Sequence, residues 1–204
     1  MFDTREKRER SLGVKLFLKG ARCLSPKCAT VRRPNRPGIH GKSRRRTTSE
    51  FSQQLKEKQK IKFSYGLRET QLRNVFARAA KNPGITGSVL LQSLERRLDN
   101  VVFRLGLAPS RSVGRQLVSH GHIMVKGRKV TIPSYAVTTG EKISIRPQSK
   151  DHPAFKDLAA NLKKYEPPVW LNLDKEKMEG TVLSLPKDLE MLFDVNMVVD
   201  YYSK

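Results

Sequence analysis

Leu94-Glu95-Arg96-Arg97-Leu98-Asp99-Asn100, with Ser110-Arg111-Ser112-Val113-Gly114-Arg115-Gln116-Leu117-Val118 after it, is the stretch whose reading decides the fold. Around the first segment Leu91, Leu94, Leu98, Val101 and Leu105 recur at helical spacing. This predicts one helix over residues 88–105 with that stripe turned inward. Arg97, Asn100 and Arg104 fall on another face, within about 60° of one another. Ser110 is the N-cap of the next helix, which Gly121 follows. Val113, Leu117 and Val118 face its core side, while Arg111, Arg115 and Ser119 share the opposite one. His122-Ile123-Met124-Val125 and Val130-Thr131-Ile132 then flank Lys126-Gly127-Arg128-Lys129, a tight β-hairpin in which Gly127 supplies the positive φ. A further strand is predicted at 142–146. The class is α+β: helices on a small, mostly antiparallel sheet. Arg97, Arg104, Arg111 and Arg115 come near one end of that sheet, where the hairpin adds Lys126, Arg128 and Lys129. Such a rigid basic platform suits structured RNA, which is read through backbone shape by fixed guanidinium forks.

Upstream, a helix over 69–81 carries the stripe Leu72, Val75, Phe76 and Ala79 and stops at Asn82-Pro83-Gly84. Thr47-x-x-Glu50 reads as a capping box opening a helix that ends near Tyr65-Gly66. Lys56, Lys58, Lys60 and Lys62 make that helix basic nearly all round, suited to a position wedged against phosphates. Before it, Arg32-Arg33-Pro34-Asn35-Arg36-Pro37-Gly38-Ile39-His40-Gly41-Lys42-Ser43-Arg44-Arg45-Arg46 reads as an extended basic arm. Downstream, a short helix over 154–165 ends at Pro167-Pro168. Trp170-Leu171-Asn172-Leu173 and Thr181-Val182-Leu183-Ser184-Leu185 alternate as strands do. The expected division is an arm at 1–46, a helical domain at 47–92 and an RNA-binding module at 93–155. A C-terminal segment at 156–204 completes the sheet, and its apolar end at 191–202 packs back on the helical domain.

The charge agrees with this layout. Over 204 residues the net charge is +22, and the apolar fraction of 37% is low for a globular chain. Glu141 is the single acid between residues 101 and 150, whereas the chain beyond 150 is slightly acidic. So one-sided a field calls for a polyanion, and phosphates that release counterions are the natural one. A merely solvated surface would mix both signs. No stretch approaches the length of a membrane span, and the N-terminus carries no apolar signal region, so the expected place is the cytoplasm. Cys23 and Cys28 make no disulfide framework, and Glu6, Glu9 and His40 are a poor set to complete a zinc site. His120 and His122 are the residues best suited to catalysis. At a helix end and strand start, they read as RNA or packing contacts, and no enzymatic activity is expected.

Residues 94–146 closely resemble the RNA-binding domain named after the fourth protein of the small ribosomal subunit. The same module occurs in pseudouridine synthases and tyrosyl-tRNA synthetases. The resemblance to that ribosomal family extends over the chain. It includes Gly13-Val14-Lys15-Leu16-Phe17-Leu18-Lys19-Gly20, Cys23-Leu24-Ser25-Pro26-Lys27-Cys28, Arg36-Pro37-Gly38-Ile39-His40-Gly41, Leu55-Lys56-Glu57-Lys58-Gln59-Lys60, Pro133-Ser134-Tyr135 and Tyr202-Ser203-Lys204. It implies a ribosomal constituent that binds small-subunit ribosomal RNA early and nucleates assembly of the subunit body. It also implies contact with the neighbouring fifth protein, at an interface affecting decoding accuracy. Some relatives bind their own messenger RNA as well.

Carried onto this chain, the RNA-facing candidates in the arm are Arg32, Arg33, Arg36, His40, Lys42, Arg44, Arg45 and Arg46. The helical part adds Lys56, Lys58, Lys60, Lys62, Tyr65, Arg68 and Arg73. The module adds Arg97, Asn100, Arg104, Ser110, Arg111, Arg115, Gln116 and Ser119, then His120, His122, Lys126 and Arg128. Two departures stand out. Many relatives hold zinc with a Cys-x-x-Cys pair where this chain has Glu6 and Glu9, so no cofactor is expected. Lys126 stands where the family often has Asn, and Lys accepts positive φ less readily. RNA contact at the hairpin tip is expected to compensate.

Overall fold

In a computed structural model the chain forms two compact units, Met1–Leu90 with Glu190–Lys204, and Leu91–Leu189. The structure describes residues 4–43, 48–150, 152–156, 158–163, 165–187 and 193–203. The helices in chain order are α1 (Thr4–Leu12), α2 (Ala21–Leu24), α3 (Ala29–Arg32), α4 (Glu50–Ser64) and α5 (Glu69–Ala80). They continue as α6 (Thr86–Glu95), α7 (Leu98–Arg104), α8 (Arg111–Ser119), α9 (Leu158–Lys163) and α10 (Val195–Ser203). The strands are β1 (Ile123–Val125), β2 (Arg128–Lys129), β3 (Lys142–Ile145), β4 (Leu171–Asp174) and β5 (Glu179–Val182).

The N-terminal segment is not the extended arm predicted. Leu16, Cys23, Cys28 and the carboxylate residue Glu9 are all buried. Glu9 Oε1 accepts the N–H groups of Leu16 and Leu18 at 3.0 and 3.2 Å, closing the loop after α1. Arg10 Nε donates to the carbonyls of Arg33 and Asn35 at 2.8 and 3.0 Å. α1 packs against α3 and α4. Local composition pointed to an arm because a few buried residues and one carboxylate organise a segment otherwise rich in Arg, Pro and Gly. Arg44, Arg45 and Arg46 lie outside the described residues, as does Thr47.

The cap of α4 is Ser49, whose hydroxyl accepts from Ser52 N–H at 3.3 Å. α4 does not offer a lysine face all round. Lys58 is buried, donates to Glu69 at 2.8 Å and lies 4.4 Å from the Tyr201 ring centroid. Lys62 pairs with the same Glu69 at 2.9 Å, and Lys60 pairs with Glu57. Tyr202 O–H completes the knot on Glu69 at 2.9 Å, so α10 packs on α4 through this ionic and aromatic cluster. Helical spacing placed these lysines but could not see that α5 and α10 bring them partners.

Partial burial would raise the Glu69 pKa. The hydrogen bonds from Lys58, Lys62 and Tyr202 outweigh it and bring the carboxyl to about 2, against an ordinary 4.5. A folded pKa below the unfolded one stabilises at pH above 4.5, and that stabilisation is lost as pH falls toward 2. Glu69→Gln is therefore expected to flatten acid unfolding of the helical unit between those values, read by circular dichroism. An acid transition unchanged from the parent chain would show that Glu69 does not set it.

In the second unit, the helix predicted over 88–105 is two helices. Arg97 is extended (φ −64, ψ 135), and the backbone around it bonds a distant segment. Leu98 N–H donates to Tyr135 O at 2.9 Å, Asp99 N–H to Pro133 O at 3.2 Å and Val137 N–H to Arg96 O at 2.9 Å. Periodicity cannot register so short an interruption when its hydrogen bonds go to residues far along the chain. The α+β class holds. The sheet has order β2-β1-β3-β5-β4, and every pairing is antiparallel.

The β1–β2 hairpin pairs Val125 with Arg128, leaving Lys126 and Gly127 as the turn. Both have positive φ, 50 and 75, as a two-residue turn of this twist requires. Its second strand is Arg128–Lys129 and does not reach the predicted 130–132. The region 154–165 divides into a 3-10 turn, Pro153–Phe155, and α9. β4 and β5 extend the sheet past the expected boundary at 155, which is why this unit continues to Leu189. Its core joins Leu98, Val101 and Val102 of α7 and its C-cap Leu105 to Leu117 and Val118 of α8 and to Ile123, Ile143, Ile145 and Val182 of the strands.

Candidate nucleic-acid interface

α7 and α8 pack closely, and the residues between them are ionic where they approach the surface. Glu95, fully buried at the end of α6, accepts from Arg104 Nε and Nη2 at 3.0 and 3.2 Å. Asn100 Nδ2 reaches the same carboxylate at 2.9 Å. Asn100 Oδ1 in turn accepts from Arg111 Nε at 2.7 Å, and Arg111 Nη2 lies 3.8 Å from Glu95. The Arg111 guanidinium sits over the Phe103 ring, 4.8 Å from its centroid. Asp99, also buried, is chelated by Arg97 through Nε at 3.1 Å and Nη2 at 2.6 Å, while Arg115 Nη1 lies 3.9 Å away. Every acid between residues 91 and 150 is buried: Glu95, Asp99 and Glu141. The exposed face of this stretch is therefore left to cations and neutral groups.

Five of the sequence-derived candidates come off the surface. Arg97 and Asn100 are buried and spend their polar atoms inside the protein. Ser110 is buried as the N-cap of α8, its hydroxyl accepting from Val113 N–H. Tyr65 and Lys58 are buried in the helical unit. Helical geometry had given the angular position of Arg97 and Asn100 on an unbroken helix, and the break at Arg97 turns that face inward.

Arg104, Arg111 and Arg115 remain partly exposed, and Gln116 and Ser119 of α8 and its C-cap His120 are open to solvent. Beyond Gly121, His122 stands 4.7 Å from His152 and 6.1 Å from His120, measured between ring centroids. Its Nδ1 hydrogen-bonds the Ser149 hydroxyl at 3.0 Å. Burial pushes the His122 imidazole down, and the neighbouring His152, His120, Arg146 and Lys129 push it further. A side chain at Gly121 would run into Lys129, whose stem crosses this turn. Lys129 was read as part of the hairpin, but His152 and Arg146 join the cluster unannounced by any local pattern.

At the hairpin tip Arg128 is exposed, whereas Lys126 Nζ lies 3.1 Å from Glu141. Burial would raise the Glu141 carboxyl, but bonds from Thr138, Lys126 and Tyr135 hold it low. The positive φ of Lys126 is accompanied by an ion pair to Glu141, with the Lys126 side chain still 63% exposed. In the N-terminal unit Arg32, Arg33, Arg36, His40 and Lys42 are exposed, as are Arg68 and Arg73, while Lys56 is half-buried. Arg32 and Arg33 line a cleft of about 690 Å3 with Lys7, Arg10, Arg22 and Lys27, four cations the sequence reading did not single out. They are spread from Lys7 to Arg33, and the folding of α1 to α3 brings them together.

Comparison with known proteins bears on this surface. Residues 3–95 match the family model described as Ribosomal protein S4/S9 N-terminal domain, and residues 96–143 match the S4 domain. The chain is 48% identical over 194 residues to small ribosomal subunit protein uS4A of Symbiobacterium thermophilum, covering 94% of this chain and 93% of the relative. It belongs to the bacterial uS4 family of small ribosomal subunit proteins. The uS4 protein of Thermus thermophilus is 48% identical and that of Syntrophomonas wolfei 47%, each over the same shares of the two chains. Among the described residues no helix is long and apolar enough to cross a membrane.

Among the described residues no group of three or more His, Cys, Asp or Glu side chains is placed to hold a metal ion. Glu9 Oε1 is taken by two backbone N–H groups, and Glu6 is paired with Arg22 at 2.8 Å and Lys19 at 3.7 Å. Cys23 Sγ accepts from Lys19 N–H, and Cys28 bonds the Thr30 hydroxyl. Burial pushes the Cys23 thiol up, whereas bonds from Thr30 and Val31 bring the Cys28 thiol down against its burial.

Proposed function

We infer that this chain is a structural constituent of the small ribosomal subunit, at work in the cytoplasmic ribosome, and that it binds the ribosomal RNA of that subunit. The burial of all three acids between residues 91 and 150 carries this reading. It leaves Arg104, Arg111 and Arg115 presented from a rigid scaffold, the arrangement that reads RNA by backbone shape. The protein is not an enzyme. Binding is direct and early, nucleates the body of the subunit and contributes with the neighbouring fifth protein to decoding accuracy. Full-length kinship with the uS4 family supports these finer roles. The same surface suits a folded region of its own messenger RNA. Co-sedimentation with small subunits that survives a high-salt wash is the expected result. Finding most of the protein away from ribosomes would overturn the reading.

The N-terminal unit works without zinc. The Glu9 carboxylate ties down the loop between α1 and α2 by its bonds to Leu16 and Leu18. Metal analysis of the purified protein is expected to show well under one zinc per chain. A stoichiometric zinc surviving dialysis would contradict this.

A further inference from the structure

Glu95 and Asp99 are the two carboxylates closest to the presented arginines, and charge alone would make them harmful to RNA binding. Each lowers the local positive potential that attracts phosphate. Yet both are buried at the junction of α6, α7 and α8, and each holds more than one cation. Glu95 takes the Arg104 fork edge-on, fixes Asn100 and through it orients Arg111. Phe103 closes the other side of Arg111 by stacking. Asp99 locks Arg97 and stands beside Arg115. The side chains of Arg104 and Arg111 keep 26% and 21% of their exposure and are tethered at one edge while reaching solvent, whereas Arg115, 41% exposed, approaches Asp99 at 3.9 Å with no hydrogen bond from Nη1. A tethered guanidinium has already lost its rotamer freedom on folding and loses little more on meeting a phosphate.

We propose that Glu95 and Asp99 are positioning residues for RNA binding, holding the α7–α8 arginines in the geometry that the RNA backbone requires. This rests on the ribosomal RNA reading above and adds a claim with an opposite sign to simple electrostatics. Order in the arginines outweighs the repulsion between the carboxylates and the RNA.

The test uses the full chain and purified bacterial small-subunit ribosomal RNA in filter-binding titrations, each variant verified as folded by circular dichroism. Glu95→Gln raises the net charge by one, so charge alone demands tighter binding. Positioning demands the reverse, a dissociation constant raised about tenfold, the effect of losing one charge-assisted contact. Glu95→Asp keeps the charge and withdraws the carboxylate by one methylene, and it is expected to weaken binding as well. Glu166→Gln, at an exposed acid of the same unit, is the control and is expected to bind as the parent chain does or slightly tighter. If the Glu95 variants do not fold, Asp99→Asn carries the same expectation through Arg115. A folded Glu95 or Asp99 variant that binds as tightly as the parent chain overturns the proposal. Failure of the parent chain itself to bind would instead sink the ribosomal RNA reading.

Discussion

Replacing Arg111 and Arg115 together by alanine is expected to weaken binding to small-subunit ribosomal RNA by roughly a hundredfold. Each side chain is partly exposed on α8 and lies near a buried carboxylate, 3.8 Å from Glu95 for Arg111 and 3.9 Å from Asp99 for Arg115. A charge-assisted hydrogen bond contributes about 1.5–3 kcal/mol, or about tenfold or more per contact. Each arginine that meets a phosphate also releases counterions, so the slope of log affinity against log salt should fall by roughly one per residue removed. The fold should survive, because Glu95 keeps Arg104 and Asn100 and Asp99 keeps Arg97. A variant with lysine at both positions separates charge from geometry. It should regain most of the salt slope and only part of the affinity, since lysine cannot reproduce the planar fork. Filter binding over a range of salt concentrations measures both quantities. An unchanged slope in the double alanine variant would remove these residues from the phosphate contacts.

The second large effect concerns Gly114, inside α8, where propensity and packing predict opposite signs. Glycine within a helix costs about 0.5–1 kcal/mol relative to alanine, so propensity alone expects Gly114→Ala to stabilise. A β-carbon there would stand 2.7 Å from the backbone carbonyl oxygen of Asp99 on α7, and 3.6 Å from Ala108. The obstacle is backbone, held in turn by the Asp99 N–H bond to Pro133, and it cannot swing aside as a side-chain tip would. Overpacking of this kind costs about 1–3 kcal/mol, which exceeds the gain in propensity. Gly114→Ala is therefore expected to lower the denaturation midpoint, and Gly114→Val to lower it further. Any shift of α8 from α7 also moves Arg111 and Arg115 away from Asn100 and Asp99, so RNA affinity should fall with stability. A stabilised Gly114→Ala variant would mean that α7 and α8 approach less closely than the structure shows.

Much of the module was legible in the chain itself. The stripe from Leu94 to Leu105, the Ser110 cap, the glycine at 121 and the Lys126-Gly127 turn are local signals. Their physics acts over a few residues, so the cap of α8 and the hairpin turn appear where those signals stand, and the stripe is helical on both sides of the break at Arg97. The basic character of the surface was equally plain, because net charge and its placement do not depend on folding. Membership of the uS4 family was visible for a related reason, since the motifs that carry it are strings of neighbouring residues.

Tertiary structure alone decided which cations face outward and which are spent inside. Arg97 looked equivalent to Arg104 on a continuous helix. The bonds of Leu98 and Asp99 to Tyr135 and Pro133 break that helix and send Arg97 inward to Asp99. Lys58 and Lys62 looked like phosphate ligands until α5 brought Glu69 and α10 brought Tyr201 and Tyr202. The segment at 4–43 looked like an arm until Glu9 was found buried beneath its loop. In each case the deciding partner lies beyond the reach of periodicity. A buried carboxylate and its cation can be distant in sequence, and only the closing of the core brings them within hydrogen-bonding distance.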